Sequence, residues 1–271
     1  MAFRNSLILK RLKEIMGGRK DESGSAPEMT YMGNRPVPAG DKSRLVGDHF
    51  TRVAPRYDMM NTLLSFGLHH LWKRAAVGML ALKPGELILD VCGGTGDLAV
   101  LAAQRMGAAG RVAVYDFNRA MLEAGRPKAA KRSLAGRIAW VQGDAELLAF
   151  PDNRFDAAMV GFGIRNLTHP DAGFREMHRV LKPGGRLMCL EFSRPVTPWF
   201  RRLYDFYSFT VMPWAGKIVT GSREAYTYLP ESIRRFARPE ELQALLQDLG
   251  FSRVQYRRLT NGIAAVHVGV K

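Results

Sequence analysis

Short apolar runs alternate with amphipathic segments along most of this chain, from about residue 45 to the C-terminus. Five runs of five to seven residues are rich in aliphatic side chains: Leu87–Val91, Arg111–Tyr115, Ile138–Gln142, Phe155–Gly161 and Arg186–Phe192. Such runs predict buried β-strands. Between them, apolar residues recur at helical spacing, which predicts helices over Asp97–Met106, Ala120–Leu134 and Asp171–Leu181. This alternation is typical of an α/β fold with a mostly parallel sheet covered by helices on both faces.

The two ends of this pattern differ from its middle. Asp48–Leu82, before the first strand, has apolar residues at helical spacing throughout. After a helix predicted over Pro239–Leu249, the segments Ser252–Arg258 and Ile263–Val270 are joined by a turn through Asn261-Gly262. Because Asn-Gly between two apolar segments is typical of a β-hairpin, we expect one antiparallel strand at the end of the sheet.

The first 42 residues have a different composition. Phe3–Met16 is basic and weakly amphipathic, and Gly17-Gly18 would end a helix there. The following stretch is rich in Gly, Ser, Pro and charged residues, as linkers are. We therefore predict a disordered or weakly helical extension over residues 1–42 and favour it over a membrane-touching helix. Residues 43–271 are predicted to form a single domain, a size that is ordinary for an α/β domain.

The chain is strongly basic. Its 40 Lys and Arg against 25 Asp and Glu leave a net charge of +15. Such a charge attracts nucleic acid, an anionic membrane surface or an acidic substrate. Six basic residues against one acid lie in 119–137, and seven against three in 195–238. The basic residues are thus spread over several elements, without interleaved stacking aromatics, so nucleic-acid binding is only a distant alternative.

Several other classes of protein are excluded by simple counts. The longest apolar run, Ala75–Leu82, has eight residues, whereas a membrane-spanning helix needs about 18 or more. The apolar stretch Leu7–Leu9 is too short for the core of a signal peptide. Two cysteines, Cys92 and Cys189, cannot supply a disulfide framework or a four-cysteine zinc site. The histidines show no metal-binding spacing, and His69-His70 are adjacent. We expect a soluble cytoplasmic protein without a metal.

A glycine-rich loop, Asp90–Asp97, separates the first predicted strand from the next helix. Gly94 and Gly96 allow a ligand to approach the backbone closely, and the N-terminus of the helix offers free N–H groups. Asp116 follows at the end of the second strand, 20 residues after Gly96, as a ribose-binding acid does in dinucleotide-binding folds. Taken alone, this loop fits a nucleotide-binding site, such as that of a nicotinamide-dependent oxidoreductase. It also fits a tight turn without a ligand.

Acidic residues narrow the choice of ligand, because one follows each of the first three strands. Asp90 directly precedes the glycines, where a carboxylate would repel a pyrophosphate but attract an amine or a sulfonium. Asp144 follows the third strand and is placed to accept a hydrogen bond from the exocyclic amine of adenine. Together with Asp116, these acids suit a ligand with an amino acid, a ribose and an adenine but no phosphate. S-Adenosylmethionine is such a ligand.

These residues, with the turn Lys182-Pro-Gly-Gly185, resemble the class I S-adenosylmethionine-dependent methyltransferases. Flanking motifs resemble, more specifically, the C-methyltransferases that act on demethylmenaquinone and on 2-polyprenyl-6-methoxy-1,4-benzoquinol. They are Tyr57-Asp-Met-Met-Asn61, Ser65-Phe-Gly-Leu-His69, Phe162-Gly-Ile-Arg-Asn166, Glu191-Phe-Ser193, Tyr204-Asp-Phe-Tyr207 and Tyr226-x-Tyr-Leu-x-Glu-Ser-Ile233. The resemblance covers roughly residues 45–271. It implies a Rossmann-like seven-stranded sheet whose last strand is antiparallel.

The resemblance also implies a set of cofactor contacts. They fall on Gly94, Thr95 and Gly96 in the loop, Asp116 for the ribose, and Asp144 with the Ala145 backbone for adenine, beside Asp90. The chain departs from the family pattern at two positions. Cys92 stands where the general pattern has its first glycine, and Gly161 stands where related proteins have a serine. Gly161 has no side-chain hydroxyl for the cofactor, which leaves its backbone as the alternative contact.

Methyl transfer to a quinol needs polar groups beside the cofactor. The ring carbon becomes nucleophilic when the neighbouring phenol, with a pKa of about 10, gives up its proton. Arg165 and Asn166 follow the fourth strand and are our catalytic candidates: Arg165 would stabilise the phenolate and Asn166 would orient the hydroxyl. An equally weighted alternative is that this pair only fixes its loop. Tyr57, Asp58 and Asn61 are candidates for a lid over the cofactor, although helix packing explains Tyr57 as well.

A run of aromatic residues follows the fifth strand. It comprises Trp199, Phe200, Tyr204, Phe206, Tyr207, Phe209 and Trp214, and Arg201, Arg202 and Lys217 flank it. Such a segment packs into a core or forms an apolar mouth for a polyprenyl tail at an anionic membrane surface.

The sequence thus predicts a C-methyltransferase that moves the methyl group of S-adenosylmethionine to the ring of a polyprenylated quinol. Demethylmenaquinol is the first choice of acceptor, and a benzoquinol stays open. A methyltransferase acting on another lipophilic acceptor, such as a sterol or a phenol, is the alternative. An acidic cofactor site within a basic shell suits a cytoplasmic enzyme that rests on the inner face of a membrane. The sequence leaves a homo-oligomer open.

Overall fold

Two β-sheets are built from strands spread along the described residues, 27–214 and 223–271 of the computed structural model. The strands are β1 (Met29–Met32), β2 (Arg35–Pro38), β3 (Leu87–Val91), β4 (Arg111–Asp116), β5 (Ile138–Gln142), β6 (Phe155–Gly161), β7 (Leu181–Phe192), β8 (Ser252–Leu259) and β9 (Ala264–Val270). β1 and β2 form an antiparallel hairpin, and the other seven strands form the main sheet. The predicted seven-stranded sheet is confirmed.

The main sheet has the strand order β5-β4-β3-β6-β7-β9-β8. β3 pairs in parallel with both β4 and β6. β4 and β5 lie on one side of β3 and the later strands lie on the other side, so the strand order switches at β3. β9 runs antiparallel to β7 and to β8. The predicted antiparallel strand is therefore confirmed, and it lies one place inside the edge of the sheet rather than at the edge.

β7 begins at Leu181, earlier than the predicted start at Arg186. Phe155 of β6 pairs with Leu181, and Ala157 pairs with Arg186, so the intervening Lys182–Gly185 stretch bulges out of the ladder. Gly184 has a φ of 75° within that bulge. The Lys-Pro-Gly-Gly turn seen in the sequence is thus an interruption between two paired parts of one strand.

Helices cover both faces of the main sheet, as predicted. They are α1 (Ala39–Val53), α2 (Tyr57–Leu64), α3 (Leu68–Met79), α4 (Asp97–Arg105), α5 (Arg119–Ala130), α6 (Pro170–Val180), α7 (Pro198–Phe206), α8 (Arg223–Arg235) and α9 (Pro239–Asp248). One apolar core joins α3 and α4 to one face of the sheet, and a second core joins α6 and α9 to the other. In the described part of the chain, no helix combines the length and apolarity required to cross a membrane.

The structured region begins before the boundary that we predicted at residue 42. That boundary falls inside α1, and the β1–β2 hairpin precedes it. The hairpin contacts α8, because the Asn34 N–H donates to the Glu231 carboxylate at 2.9 Å and the Arg235 guanidinium lies 3.7 Å from the centre of the Tyr31 ring. Residues 1–26, with the predicted basic helix, lie outside the described residues.

Candidate active site

The carboxyl ends of β3, β4, β5 and β6 meet at one edge of the sheet, around a cavity of about 120 Å³. We call it the acidic cavity. Its lining includes six of the seven residues predicted to contact the cofactor: Asp90, Gly94, Thr95, Asp116, Asp144 and Ala145. The switch in strand order between β3 and β6 is where open α/β sheets bind their ligands. Topology therefore explains why residues far apart in sequence meet here.

The glycine loop owes its conformation to two close approaches. The Gly94 N–H donates to the Asp116 carboxylate at 2.9 Å, which fixes the loop against the end of β4. Gly96 has a φ of 74°, and a Cβ atom there would lie 2.7 Å from the Trp140 ring. The close approach that requires a glycine at position 96 is therefore the one to Trp140. The predicted contact of Gly96 with the cofactor stays a prediction.

The two departures from the family pattern both lie in this cavity wall. Cys92 adopts a φ of 51°, a backbone conformation that favours glycine. A Cβ atom at Gly161 would lie 2.5 Å from Cδ1 of Leu98. A serine at position 161 would therefore need Leu98 to move. With glycine there, the Leu98 side chain packs directly against the backbone.

Asp90 and Asp116 are buried carboxyl groups with few partners. One oxygen of Asp90 accepts the Ala99 N–H at 3.0 Å, and the other has no hydrogen-bond partner among the described residues. Burial raises the pKa of Asp90 to about 8. Asp116 accepts N–H groups of Gly94 and Asn118, yet burial still raises its pKa to about 6. Both groups would gain from a cationic or hydrogen-bond-donating ligand.

Thr95 belongs to a network of ion pairs that the sequence did not reveal. Its hydroxyl donates to Asp58 at 2.8 Å and accepts from Lys128 Nζ at 3.0 Å. Lys128 also pairs with Asp58 at 2.6 Å and with Asp97 at 2.5 Å, and Lys73 pairs with Asp97 at 2.7 Å. The two lysines hold the pKa of Asp97 well below its usual value. Asp97, which also lines the acidic cavity, is therefore ionised, and the two lysines compensate its charge.

The loop after β5 contributes the remaining predicted contacts. Asp144 is exposed, and its carboxylate accepts the Glu146 N–H at 2.9 Å, which shapes the loop. Ala145 is buried behind it. Glu146 accepts the N–H groups of Thr168 and His169 at 2.7 and 2.9 Å and ties this loop to the one after β6.

S-Adenosylmethionine fits the chemistry of the acidic cavity. The unpartnered oxygen of Asp90 is a buried acceptor, and the carboxylates of Asp116 and Asp144 add acceptors along the wall. Lys73, which also lines this cavity, is already paired with Asp97. The wall therefore favours a ligand with a positive charge and several donors over a phosphorylated one. Among the described residues, no group of His, Cys, Asp and Glu is arranged to hold a metal ion.

A larger cavity of about 450 Å³ adjoins the acidic cavity and has mainly apolar walls. We call it the apolar cavity. Phe50, Tyr57, Lys73 and Phe162 line both cavities, so the two meet there. The aromatic wall continues through ring contacts among Trp72, Phe162 and Phe192.

The aromatic segment after β7 has some side chains that line the apolar cavity and others that face outward; its role at a membrane surface stays a prediction. Phe200, Tyr204 and Tyr207 line the apolar cavity. Trp199, Phe206 and Trp214 point outward and are 67%, 61% and 66% exposed. Lys217, a predicted flanking residue, lies outside the described residues.

Arg165 and Asn166 face different cavities. Arg165 lines the apolar cavity; its guanidinium pairs with Glu191 at 2.7 Å and donates to the Phe162 carbonyl. Asn166 lines the acidic cavity, and its side-chain oxygen accepts from the Tyr228 hydroxyl at 2.7 Å. The bond to Phe162 is of the kind that our loop-fixing alternative requires, and Arg165 also lines the cavity, so both roles stay predictions.

The lid candidates contact the site. Tyr57 lines both cavities, and burial raises its pKa. Asp58 bonds to Thr95 through the network described above, and Asn61 lines the apolar cavity.

The sequence analysis assigned no role to two histidines that line the apolar cavity. His49 and His69 are both buried, and burial lowers the pKa of each to about 4. His49 lies in none of the quoted motifs, and His69 ends the motif Ser65–His69, to which we assigned no role, so only the fold reveals that these two share a cavity.

The sheet topology, with the acidic cavity at its switch point, is that of the class I methyltransferase fold. The structure resembles a SAM-dependent methyltransferase from Aquifex aeolicus with a TM-score of 0.53 at 19% identity, over 73% of this chain and 88% of that one. It also resembles the [4+2]-cyclase SpnF, with a TM-score of 0.64 at 20% identity, over 84% of this chain and 96% of that one. At these identities the similarity establishes the fold alone.

Sequence comparison identifies the family. Residues 39–271 match the ubiE/COQ5 methyltransferase family. The chain is 47% identical over 246 residues to the ubiquinone/menaquinone biosynthesis C-methyltransferase UbiE of Pseudomonas putida (strain W619), covering 91% of this chain and 96% of that protein. The chain belongs to the ubiE/COQ5 methyltransferase family, and it is a methyltransferase.

Proposed function

We propose that this enzyme transfers the methyl group of S-adenosylmethionine to a ring carbon of a polyprenylated quinol, converting demethylmenaquinol to menaquinol. The observation that carries the proposal is the junction of two unlike cavities, one acidic and one apolar, at Phe50, Tyr57, Lys73 and Phe162. A cationic methyl donor and a lipophilic acceptor need such a pair of sites side by side. The Pseudomonas putida relative, whose name assigns it to both quinone pathways, supports the same acceptor class.

In the acidic cavity, each acceptor group has a proposed partner on the cofactor. Asp116 would accept the ribose hydroxyls, and Asp144 with the Ala145 backbone would hold the adenine. Asp90, Gly94 and Thr95 lie where the loop approaches the amino-acid end. When bound, S-adenosylmethionine supplies a methyl group already activated by the sulfonium, so the protein mainly has to align the two reactants and exclude water.

In the apolar cavity, Arg165 is the proposed stabiliser of the quinol phenolate. Its guanidinium is held by Glu191 and by the Phe162 carbonyl, so its orientation is set before substrate binds. Asn166, the next residue in the chain, would orient the quinol hydroxyl from the side of the acidic cavity. The Tyr228 hydroxyl fixes the side-chain amide of Asn166 there.

The enzyme is also proposed to dock on an anionic membrane surface, from which it takes its substrate. Two exposed apolar residues, Phe66 and Leu203, line the apolar cavity. Together with Trp199, Phe206 and Trp214, which are exposed on or shortly after the same helix as Leu203, they form a patch that we call the aromatic rim. The ring of Phe66 contacts Tyr207, which joins the α2–α3 turn to the α7 side of the mouth. The exposed Arg201 and Arg202 lie on α7, the helix that carries most of the aromatic rim. Their positive charges would attract lipid phosphates beside the rim.

Liposome flotation tests the docking proposal. We expect the protein to float with anionic vesicles at low salt and less so at high salt. The double variant Trp199→Ala/Phe206→Ala should lose most of this binding, whereas Leu147→Ala, at a residue 77% exposed after β5, should not. Absence of flotation at low salt, or equal loss in both variants, would contradict it.

The quinone profile of cells that lack this protein tests the proposed reaction. Accumulation of demethylmenaquinone would identify the naphthoquinol branch, and accumulation of the methoxybenzoquinol precursor would identify the benzoquinol branch. An unchanged profile would contradict both and leave a methyltransferase with another lipophilic acceptor.

A further inference from the structure

Lys73 is a buried lysine in the middle of α3, at the junction of the two cavities. Its ammonium pairs with Asp97 Oδ2 at 2.7 Å, and its side chain remains 10% exposed. Both members of this ion pair line the acidic cavity, and Lys73 also lines the apolar cavity. The ammonium therefore lies in the wall between the proposed site of the methyl donor and that of the acceptor.

The acidic cavity offers many carboxylates but little positive charge. Among the described residues that line it, Lys73 is the single basic one. Five of the others are acidic: Asp90, Asp97, Asp116, Asp144 and Glu146. These carboxylates attract an ammonium or a sulfonium and repel a carboxylate. A ligand that carries charges of both signs therefore finds one side-chain cation on this wall.

The Lys73 ammonium has unused hydrogen-bond donors. An ammonium carries three N–H donors, and Asp97 is the one acceptor that Lys73 Nζ contacts in the part of the chain that the structure describes. Asp97 does not depend on Lys73 alone, because Lys128 pairs with its other oxygen. Lys73 can therefore donate to a ligand while it keeps its contact with Asp97.

S-Adenosylmethionine ends in an amino acid, so it brings a carboxylate into the cavity as well as an ammonium. Burying a carboxylate is costly unless a cation or several donors compensate it. Asp90 lies at the proposed amino-acid end of the site. Burial raises the pKa of Asp90 to about 8, and the Ala99 N–H and the charge of Lys73 oppose that rise. Lys73 and Asp90 are thus close enough to interact, with opposite charges for the two ends of one amino acid.

We infer that Lys73 is a cofactor-binding residue whose ammonium holds the α-carboxylate of S-adenosylmethionine. The inference rests on the proposed function and adds a cation to its acidic set of cofactor contacts. The ammonium and the carboxylate of the ligand cancel, so Asp90 and Lys73 receive them without a change in net charge. A phosphorylated ligand would instead bring two or more negative charges to the same lysine. Held at the junction, the carboxylate anchors the methionine arm beside the proposed acceptor site.

Decarboxylated S-adenosylmethionine tests this contact, because it lacks the carboxylate but keeps the adenosine, the sulfonium and the amine. In calorimetry without a quinol, we expect the wild type to bind S-adenosylmethionine about thirtyfold more tightly than the decarboxylated ligand. In Lys73→Met this preference should vanish or invert. The affinity for S-adenosylmethionine should fall about thirtyfold, and the affinity for the decarboxylated ligand should not fall.

Lys128→Met is the matched control. Lys128 pairs with the other oxygen of Asp97 and lies outside the described linings of both cavities. Its replacement disturbs the same ion-pair network without removing the proposed partner of the carboxylate. The control should therefore weaken the binding of both ligands by a similar factor and keep the wild-type preference.

A preference retained in Lys73→Met would overturn the inference and assign the carboxylate to N–H groups of the glycine loop. Equal binding of the two ligands by the wild type would overturn it as well. If Lys73→Met fails to fold, nitrogen-15 NMR of the wild-type lysine ammonium groups decides. The Lys73 resonance should respond to S-adenosylmethionine and hardly to the decarboxylated ligand, and equal responses overturn the role. Failure of the proposed function is distinguishable, because the wild type would then bind neither ligand, or would show the preference and methylate no quinol.

Discussion

Asp90 and Asp116 are the residues whose protonation should respond to the cofactor. Their pKa values of about 8 and about 6 mean that the ligand-free site is partly protonated at neutral pH. A cationic ligand favours the ionised carboxylates, so binding should release protons. We predict that the affinity for S-adenosylmethionine rises about tenfold between pH 6 and pH 8, measured by calorimetry in buffers of different ionisation enthalpy.

Asp90→Asn provides the control for this prediction. The variant should bind the cofactor more weakly and lose most of the pH dependence above pH 6. Because the folded pKa of Asp90 lies above its unfolded value, the native state binds more protons between about pH 4 and pH 8, and its stability falls as pH rises through that window. The ligand-free variant should therefore exceed the wild type in stability at pH 8 but not at pH 4. A wild-type affinity independent of pH would contradict the assignment.

Arg165 has a structural and a proposed catalytic role, which two variants separate. Arg165→Ala leaves the buried Glu191 without its partner, so the free energy of unfolding should fall by about 3 kcal/mol in denaturant titrations. In Arg165→Ala/Glu191→Gln the unpaired charge is gone, and much of that stability should return. Methyl transfer should stay low in both. Recovery of activity together with stability would show that Arg165 only fixes its loop.

At the scale of elements, α2 is joined to the glycine loop and to α5 through Lys128. The Lys128 ammonium contacts Asp58 of α2, Thr95 of the loop and Asp97 of α4. Removing it should free α2 while Lys73 continues to hold Asp97. We predict that Lys128→Met speeds amide exchange across Tyr57–Leu64 and weakens S-adenosylmethionine binding about tenfold.

Lys131→Met is the matched substitution, at an exposed position directly after the same helix. It should change neither amide exchange nor affinity. If Lys128→Met behaves like Lys131→Met, the network has no part in holding α2 against the cofactor loop.

Elements with a continuous apolar signal were predictable, and those whose buried face is polar were not. The strands β3 to β6 follow the apolar runs almost residue by residue. α1 was recognised only from Asp48 onward, because its buried residues are Lys42, Val46, His49 and Val53, of which two are polar. The hairpin before it has strands of four residues that contain two prolines, a composition that also fits a linker.

The predicted site shows the same division. Asp90 and Asp116 lie at the carboxyl ends of β3 and β4, and Asp144 lies just after β5, so strand prediction alone brings them to one edge of the sheet. Lys73 and Lys128 lie on different helices and reach the site only through tertiary packing, as does His69. Pairing across helices leaves no spacing pattern in the sequence, which is why the ion-pair network was not predicted.

For the whole molecule, the net charge of +15 and the acidic cavity describe two separate surfaces. The exposed Arg201 and Arg202 lie on the helix that carries part of the aromatic rim, and the buried carboxyl groups of Asp90 and Asp116 lie where the cofactor is proposed to bind. In the proposed function, a soluble donor and a membrane-held acceptor would enter from different sides and meet at Phe50, Tyr57, Lys73 and Phe162.

Direct assay of the purified protein tests this account most sharply. The enzyme is incubated anaerobically with methyl-labelled S-adenosylmethionine and a short-chain demethylmenaquinol, and the product is analysed by mass spectrometry. We predict one labelled methyl group on a ring carbon of the quinol and none when the oxidised quinone, which has no hydroxyl to ionise, is supplied instead. Binding of S-adenosylmethionine without transfer to the ring, or transfer to a quinol oxygen, would contradict the account.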